Sequence, residues 1–271
     1  MKAAWYERTG EAQKVLQIGE LDNPLPNKGE VLVQLKTSGI NPSDVKTRAG
    51  ARGDLQFPKI VPHSDGAGTI VDVGEGVDKK RIGERVWIWN GAFGRAFGTC
   101  AELISLPEFQ AAKINDSVDF KSAACMGIPA STAYYGIFAN GSVKDKTVLI
   151  SGGAGAVGFY GIQLAKLSGA SVISTISSDE KAEVAQEAGA DKVINYKNED
   201  VVEEIMNFSN NKGVDRIFEV EFGGNLSINE KVIKSNGVIA AYGSMADMEP
   251  KLPFYKLMFK GTKIDTFLIY S

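Results

Sequence analysis

The chain changes its pattern near Ser122, and this change limits the possible folds more than any other feature. From there, apolar runs typical of strands alternate with helical segments, as in "TVLIS" before "GFYGIQLAKLSGA" and "SVISTI" before "DEKAEVAQEAGA". Strands separated by helices must pair in parallel, because each helix carries the chain back across a face of the sheet. We therefore predict an α/β protein with a doubly wound parallel sheet over residues 122–271.

The first part of the chain has a different pattern. Short β-type runs such as "EVLVQLKTSGI", "GTIVDVGEGV" and "ERVWIWNG" are separated by glycine and proline. Such spacing is typical of a compact β-rich domain. We predict this domain over residues 1–121.

Composition excludes several classes of function. The net charge is -3 and charges of both signs are interspersed, so no basic surface for a nucleic acid is expected. Charges in the first residues argue against a secretory leader, and two distant cysteines, Cys100 and Cys125, fit a reducing cytoplasm. Uncharged runs at 123–140 and 147–165 contain many Gly, Ser and Thr residues, which favours buried elements over membrane spans.

A glycine-rich turn follows the first strand of the predicted sheet. The sequence "SGGAGAVG" fits GxGxxG at Gly153, Gly155 and Gly158, directly before a helical segment. Such a turn lets backbone N–H groups approach a pyrophosphate, and the helix N-terminus favours its negative charge. We predict a dinucleotide site; the alternative is a turn that only packs the strand against the helix.

The end of the second strand predicts which dinucleotide binds. A site for NAD usually has Asp or Glu there, whereas this chain has "STISS". Ser177 and Ser178 can donate hydrogen bonds to a 2'-phosphate, and Lys181 can supply a cation. The two acidic residues before Lys181 complicate this prediction unless they only favour the helix dipole. We predict NADPH, with Tyr196 beside the adenine; alternatively, Lys181 is a solvated helix residue.

Several stretches together resemble one family. They include "GINPSDVKTRAG", "PHSDGAGTIVDVGEGV", "AACMGIPASTAYYGIF" and "GADKVINYKNED", and they occur in family order along nearly the whole chain. The chain resembles the zinc-independent medium-chain dehydrogenases/reductases, specifically the zeta-crystallin-like NADPH:quinone oxidoreductases. The resemblance implies a GroES-like catalytic domain, a Rossmann domain, a site in the cleft between them, and a homodimer formed through an edge strand at Ile264–Tyr270.

The same resemblance bears on zinc. At the positions where zinc-dependent relatives place Cys, His and Cys, this chain has Asn41, Ser64 and Ile128. None of these supplies a thiolate or an imidazole, so no metal is expected. His63, the only histidine, lies beside one of these positions and is interpreted as a loop residue rather than a catalytic or metal-binding one.

The resemblance also assigns site residues. Asn41 would donate a hydrogen bond near the nicotinamide, with Thr132 on its other side. Lys46 replaces a tyrosine of many relatives; it either contacts the cofactor or the reduced oxygen, or is a solvated loop lysine. The loop Asn90–Gly98 either lines the acceptor pocket or packs in the core. Further implied cofactor contacts lie on the phosphate loop and after the later strands: Ala154, Ala156, Val157, Asn225, Tyr242, Gly243, Ser244, Met245, Phe267, Leu268 and Ile269.

The expected function is reduction of quinones with NADPH. The nearest alternative is reduction of alkenals or enones, since both reactions need a hydride aimed at a conjugated carbonyl compound. An alternative of another class is a non-catalytic crystallin-like or RNA-binding protein, although the acidic balance disfavours RNA. Relatives continue past "GTKIDTFLIYS", so either the sequence is an incomplete record or the elements that close the catalytic domain are absent.

Overall fold

The computed structural model describes residues 1–270. These residues divide into two compact units, Met1–Ile128 together with Tyr270, and Pro129–Ile269. No helix within the described residues is both long and apolar enough to span a bilayer.

The first unit is built on a five-stranded antiparallel sheet with strand order β6-β3-β4-β5-β7. A separate pair, β1 with β2, lies outside this sheet. The elements are β1 (Lys2–Trp5), α1 (Ala12–Val15), β2 (Gln17–Glu20), β3 (Glu30–Gly39), α2 (Pro42–Arg48), β4 (Asp65–Val73), β5 (Arg85–Ile88), β6 (Leu103–Pro107), β7 (Ala111–Lys113) and α3 (Phe120–Ala123).

Apolar side chains on one face of this sheet form the core of the first unit. Val31, Val33, Ile70 and Ile104 belong to one buried cluster. The pairing of β3 with β4 contains two register shifts, which bend the strands as bulges do. The last residue of β3, Gly39, lies opposite the first residue of β4, Asp65. This register brings the turn after β3, which begins α2, beside the start of β4.

The second unit is a six-stranded parallel sheet with order β10-β9-β8-β11-β12-β13 and helices on its faces. Its elements are α4 (Ser131–Phe138), β8 (Thr147–Ser151), α5 (Ala156–Leu167), β9 (Ser171–Ile176), α6 (Asp179–Glu187), β10 (Lys192–Asn195), α7 (Val201–Phe208), β11 (Val214–Glu219), α8 (Phe222–Val232), β12 (Ile233–Ala241), α9 (Phe254–Phe259) and β13 (Lys263–Thr266). The predicted fold class, a β-rich unit plus a doubly wound parallel sheet, is confirmed.

The strand order places a switch point beside β8. The chain runs from β8 outward through β9 to β10, and then returns to place β11 on the other side of β8. In such sheets, ligands bind outside the carboxyl ends of the strands where the order reverses. A ligand site is therefore expected at the carboxyl ends of β8, β9 and β11.

The predicted edge strand is shorter than expected. β13 lies at the edge of the sheet, but it ends at Thr266 rather than at Tyr270. Thr266 is paired with Ala241, the last residue of β12, and Phe267 is the last of the described residues to donate a backbone hydrogen bond to that strand. The prediction of an edge strand through Tyr270 was wrong in its extent.

Candidate functional site

The glycine-rich turn lies between β8 and α5. Gly155 is the N-cap of α5, which begins at Ala156. A Cβ atom at Gly153 would lie 1.9 Å from Ser174 Oγ, and one at Gly158 would lie 2.4 Å from the carbonyl oxygen of Gly152. At Gly155 an added Cβ would meet only that same oxygen, at 3.3 Å. Gly153 and Gly158 thus permit tight packing, while Gly155 leaves the helix N-terminus open toward an anion.

The loop after β9 brings together the residues predicted for a 2'-phosphate. Lys181 Nζ donates to Ser177 Oγ at 2.8 Å. Ser178 is the N-cap of α6 and accepts a hydrogen bond from the backbone N–H of Lys181. Ser178 Oγ also donates to Glu180 Oε2 at 3.1 Å, so a carboxylate lies closer than the sequence interpretation assumed. The side chains of Glu180 and Lys181 are exposed, whereas those of Ser177 and Ser178 are half-buried.

A cavity of about 370 Å³ lies at the switch point. Ser151, Gly152, Thr175 and Tyr196 line it at or just beyond the ends of β8, β9 and β10, and Asn225 lines it from helix α8. Tyr196 follows β10 and is 53% exposed, which leaves its ring available for stacking. The structure therefore brings Tyr196 and Asn225 to the same cavity as the glycine-rich turn.

A buried carboxylate lies behind this cavity and was missed in the sequence. Glu219, at the end of β11, is fully buried. It accepts hydrogen bonds from Ser151 Oγ at 3.0 Å, Asn225 Nδ2 at 3.0 Å and Asn229 Nδ2 at 2.8 Å. The backbone N–H of Glu221 donates to it at 2.8 Å. An acidic residue directly after the apolar pair Ile217 and Phe218, at the end of a predicted strand, was the signal that could have identified it.

Glu221 fixes the loop that follows β12. Its carboxylate accepts hydrogen bonds from the backbone N–H groups of Met245 and Ala246, at 2.9 Å each. The backbone N–H of Gly223 donates to Ser244 Oγ at 2.8 Å. The predicted contacts Gly243, Ser244 and Met245 therefore lie beside the start of α8.

An aromatic cluster completes this part of the second unit. The ring centroid of Tyr242 lies 4.8 Å from that of Phe218 and 6.2 Å from that of Phe267. Burial raises the pKa of Tyr242, and the charge of Glu219 raises it further. Phe267 donates its backbone N–H to Ala241 at 3.1 Å, and Leu268 and Ile269 follow it. Thr132 is buried on α4.

In the first unit, Asn41 joins two carboxyl groups. Its Nδ2 donates to Asp65 Oδ2 at 2.8 Å, and its backbone N–H donates to Asp44 Oδ2 at 2.7 Å. The backbone N–H of Ile128 donates to both oxygens of Asp65, at 2.9 and 3.1 Å. One donor of the Asn41 side chain is therefore already used by Asp65. Lys46 lies on the helix α2 that Asn41 caps.

Burial shifts the pKa values of both carboxyl groups. Asp65 is 1% exposed, and burial raises its pKa to about 7, against the hydrogen bonds from Asn41 and Ile128. Burial also raises the pKa of Asp44 to about 6, although the charge of Arg52 opposes this. Within residues 1–270 no group of three His, Cys, Asp or Glu side chains is placed to hold a metal ion.

The first unit contains a cavity of about 160 Å³ beside these residues. Its lining includes Asp44, His63, Phe93 and Tyr270. The rings of Phe93 and Tyr270 stack with centroids 5.1 Å apart, and Tyr270 donates its hydroxyl hydrogen to Ser43 Oγ at 2.7 Å. Phe93 comes from the loop Asn90–Gly98, so part of this loop lines a cavity rather than the core.

Comparisons with known proteins agree with this architecture. The alcohol dehydrogenase GroES-like domain matches residues 27–143, and the zinc-binding dehydrogenase domain matches residues 156–271. Quinone oxidoreductase of Rattus norvegicus is 30% identical over 227 residues, which cover 83% of this chain and 68% of that protein. Two solved quinone oxidoreductases share the fold: that of Pseudomonas syringae pv. tomato at 26% identity with a TM-score of 0.86, and that of Escherichia coli, complexed with NADPH, at 25% and 0.85. Each alignment covers 99% of this chain and 81% of the other.

The antiparallel unit, the parallel sheet and the glycine-rich turn together define a medium-chain dehydrogenase/reductase. One matched domain is named for zinc, but this chain has Asn41, Ser64 and Ile128 at the three ligand positions implied by the resemblance. The chain belongs to the zinc-independent quinone oxidoreductase family of that class. The resemblance stated from the sequence is confirmed.

Proposed function

We propose that this chain reduces quinones with NADPH and without zinc. One observation carries the choice of cofactor: Lys181 Nζ lies 2.8 Å from Ser177 Oγ, where a site for NAD would hold a carboxylate. The names of the rat and bacterial relatives, and the NADPH complex of the Escherichia coli protein, support the same function.

The proposed cofactor site uses the residues predicted from the sequence. The turn from Gly153 to Gly158, with Ala154, Ala156 and Val157, would hold the pyrophosphate at the N-terminus of α5. Ser177, Ser178 and Lys181 would bind the 2'-phosphate, and Tyr196 would stack on the adenine. The later contacts proposed are Asn225, Tyr242, Gly243, Ser244, Met245, Phe267, Leu268 and Ile269. Bound NADPH would supply the reducing equivalents.

The residues proposed for the reacting end are Asn41, Lys46 and Thr132. One N–H of the Asn41 side-chain amide already donates to Asp65. We therefore propose that its second N–H donates to the quinone oxygen that gains negative charge during reduction. Lys46 would add a cation, and Thr132 would contact the nicotinamide. With no metal ion, positioning and such donors would supply the rate enhancement.

A paired titration and turnover assay tests this proposal. Intrinsic fluorescence should show that NADPH binds at least tenfold more tightly than NADH, and benzoquinones should be reduced faster than enones. Lys181→Arg is the matched control, because it keeps the cation and should keep the preference for NADPH. Equal affinity for NADPH and NADH would refute the assignment of the cofactor, and faster enone turnover would favour the alternative reductase. Tight NADPH binding without turnover of any acceptor would favour the non-catalytic class.

We also propose that the protein forms a homodimer and works in the cytoplasm. Within residues 1–270 no strand pairs with the outer edge of β13, and this edge supports the dimer because its backbone groups can bind a second copy. Cys100 and Cys125 are both free thiols, which suits a reducing compartment. Sedimentation of a monomer at micromolar concentration would contradict the dimer.

A further inference from the structure

His63 has a backbone conformation that is uncommon for a residue other than glycine. Its φ angle is 78°, in the left-handed region that favours glycine. The five other non-glycine residues with positive φ within residues 1–270 are asparagines and one aspartate. Asparagine, aspartate and histidine are the non-glycine residues found most often in this region, and residues held in it cluster at functional sites. The position is therefore a candidate for a role beyond that of a loop residue.

A chain of hydrogen bonds fixes the imidazole of His63. His63 Nδ1 lies 2.9 Å from Ser38 Oγ, which lies 2.8 Å from Thr99 Oγ1. Thr99 Oγ1 donates to the backbone carbonyl oxygen of Asp65 at 2.6 Å. Thr99 Oγ1 also lies 3.4 Å from the backbone carbonyl oxygen of His63, which is likewise an acceptor. The chain therefore ends at groups that can only accept.

This ending sets the direction of every hydrogen bond in the chain. The hydroxyl hydrogen of Thr99 is donated to a backbone carbonyl oxygen, so in its contact with Ser38 the Thr99 oxygen must accept the hydrogen bond. Ser38 then has no hydrogen left, so it must accept from Nδ1 of His63. A neutral imidazole carries one hydrogen, and with that hydrogen on Nδ1 the other nitrogen, Nε2, has a free lone pair. Burial lowers the pKa of His63, which favours the neutral ring.

His63 lines the 160 Å³ cavity of the first unit together with Asp44, Arg52, Phe93 and Arg95. A lone pair on Nε2 can only accept a hydrogen bond. The carbonyl oxygens of a plain quinone also only accept, so they gain nothing from this nitrogen. A hydroxyl group on the acceptor molecule would donate to it.

We propose that His63 determines specificity, selecting quinones that carry a hydroxyl group and accepting the hydrogen bond of that group at Nε2. Ser38 and Thr99 act as positioning residues that hold the tautomer. The inference rests on the proposed quinone reduction. One neutral hydrogen bond in a partly exposed site corresponds to a preference of roughly threefold to tenfold.

A matched pair of substrates tests the preference. 2-Hydroxymethyl-1,4-benzoquinone and 2-ethyl-1,4-benzoquinone have the same number of heavy atoms and differ in the hydroxyl group. The ratio of their kcat/KM values should be about threefold to tenfold higher in the wild type than in His63→Gly, a variant whose backbone suits a φ of 78°. Ser38→Ala keeps the imidazole but frees its tautomer, and should lower the same ratio. An unchanged ratio in His63→Gly would overturn the inference.

The tautomer gives a measurement that does not depend on turnover. Because the chain has one histidine, its imidazole ¹⁵N resonances are assigned without ambiguity. The wild type should show a protonated Nδ1 and an unprotonated Nε2, and the Nε2 resonance should move on addition of the hydroxymethyl compound. The opposite tautomer would overturn the inference. If the wild type reduces neither quinone, the proposed function fails, and the ¹⁵N spectra alone decide the role of His63.

Discussion

Replacing Asp65 with asparagine tests the energetic consequence of burying a carboxyl group at the site. Asp65 is 1% exposed, and its pKa rises from 3.8 to about 7, mainly through burial. The folded protein therefore holds this proton at pH values where the unfolded chain has lost it. Its stabilising contribution is complete below about pH 4 and is lost as the pH rises through about 7. Between pH 5 and pH 8 the loss is roughly 2 to 3 kcal/mol.

Urea unfolding at pH 5 and pH 8, followed by tryptophan fluorescence, measures this loss. The free energy of unfolding of the wild type should fall by roughly 2 to 3 kcal/mol more than that of Asp65→Asn over this interval. The amide of the new side chain can still accept from the Ile128 N–H, so the variant should fold. Asp116→Asn is the control, because it makes the same substitution at a side chain that is 98% exposed. The same pH dependence in Asp65→Asn and wild type would refute the reasoning.

Three further substitutions test the cofactor site and the sheet. Lys181→Ala should weaken NADPH binding roughly fivefold, from about 1 kcal/mol of lost attraction at an exposed site, and leave NADH binding unchanged in fluorescence titration; equal weakening of both would contradict the 2'-phosphate assignment. Gly158→Ala would place a Cβ 2.4 Å from the carbonyl oxygen of Gly152, so NADPH affinity should fall about tenfold or more, and calorimetry showing wild-type affinity would exclude this packing role. Arg216 is fully buried and donates to the carbonyl oxygens of Asn140 at 2.6 Å and Gly141 at 3.2 Å. Arg216→Met should lower the free energy of unfolding by about 2 to 4 kcal/mol with NADPH affinity retained, and a loss below about 1 kcal/mol in urea would show that these bonds contribute little.

The parts of the fold that were predictable have local signals. The alternation of strand and helix after Ser122 required parallel pairing, and the glycine spacing from Gly153 to Gly158 placed the turn between a strand and a helix. The sequence also placed Ser177 and Lys181 in the same loop after the second strand, although their hydrogen bond to each other was not predicted. The glycine spacing falls within one turn, and the alternation of strands and helices is a repeated local pattern of successive segments.

The unpredicted parts depend on contacts between distant residues. Asn41 and Ile128 both bind Asp65 across 24 and 63 residues of sequence. Nothing in the residues that flank Asn41 in the sequence shows that its side-chain amide donates a hydrogen bond to Asp65. The end of β13 likewise depends on where β12 stops, and the run "IDTFLIY" carries no sign of that limit. Tertiary pairing decided each of these features.

The strand order of the parallel sheet has a consequence for synthesis on the ribosome. Its central pair joins Val148 to Arg216, whereas the five-stranded antiparallel sheet is complete once Lys113 has been made. Strand β11 ends at Glu219, 106 residues after Lys113 (219 − 113), so at about 5 to 20 residues per second roughly 5 to 20 s separate the two events. In the later part of this interval the apolar strands β8 and β9 have been translated but lack their central neighbour, and a nascent chain of this kind needs protection from aggregation until β11 emerges.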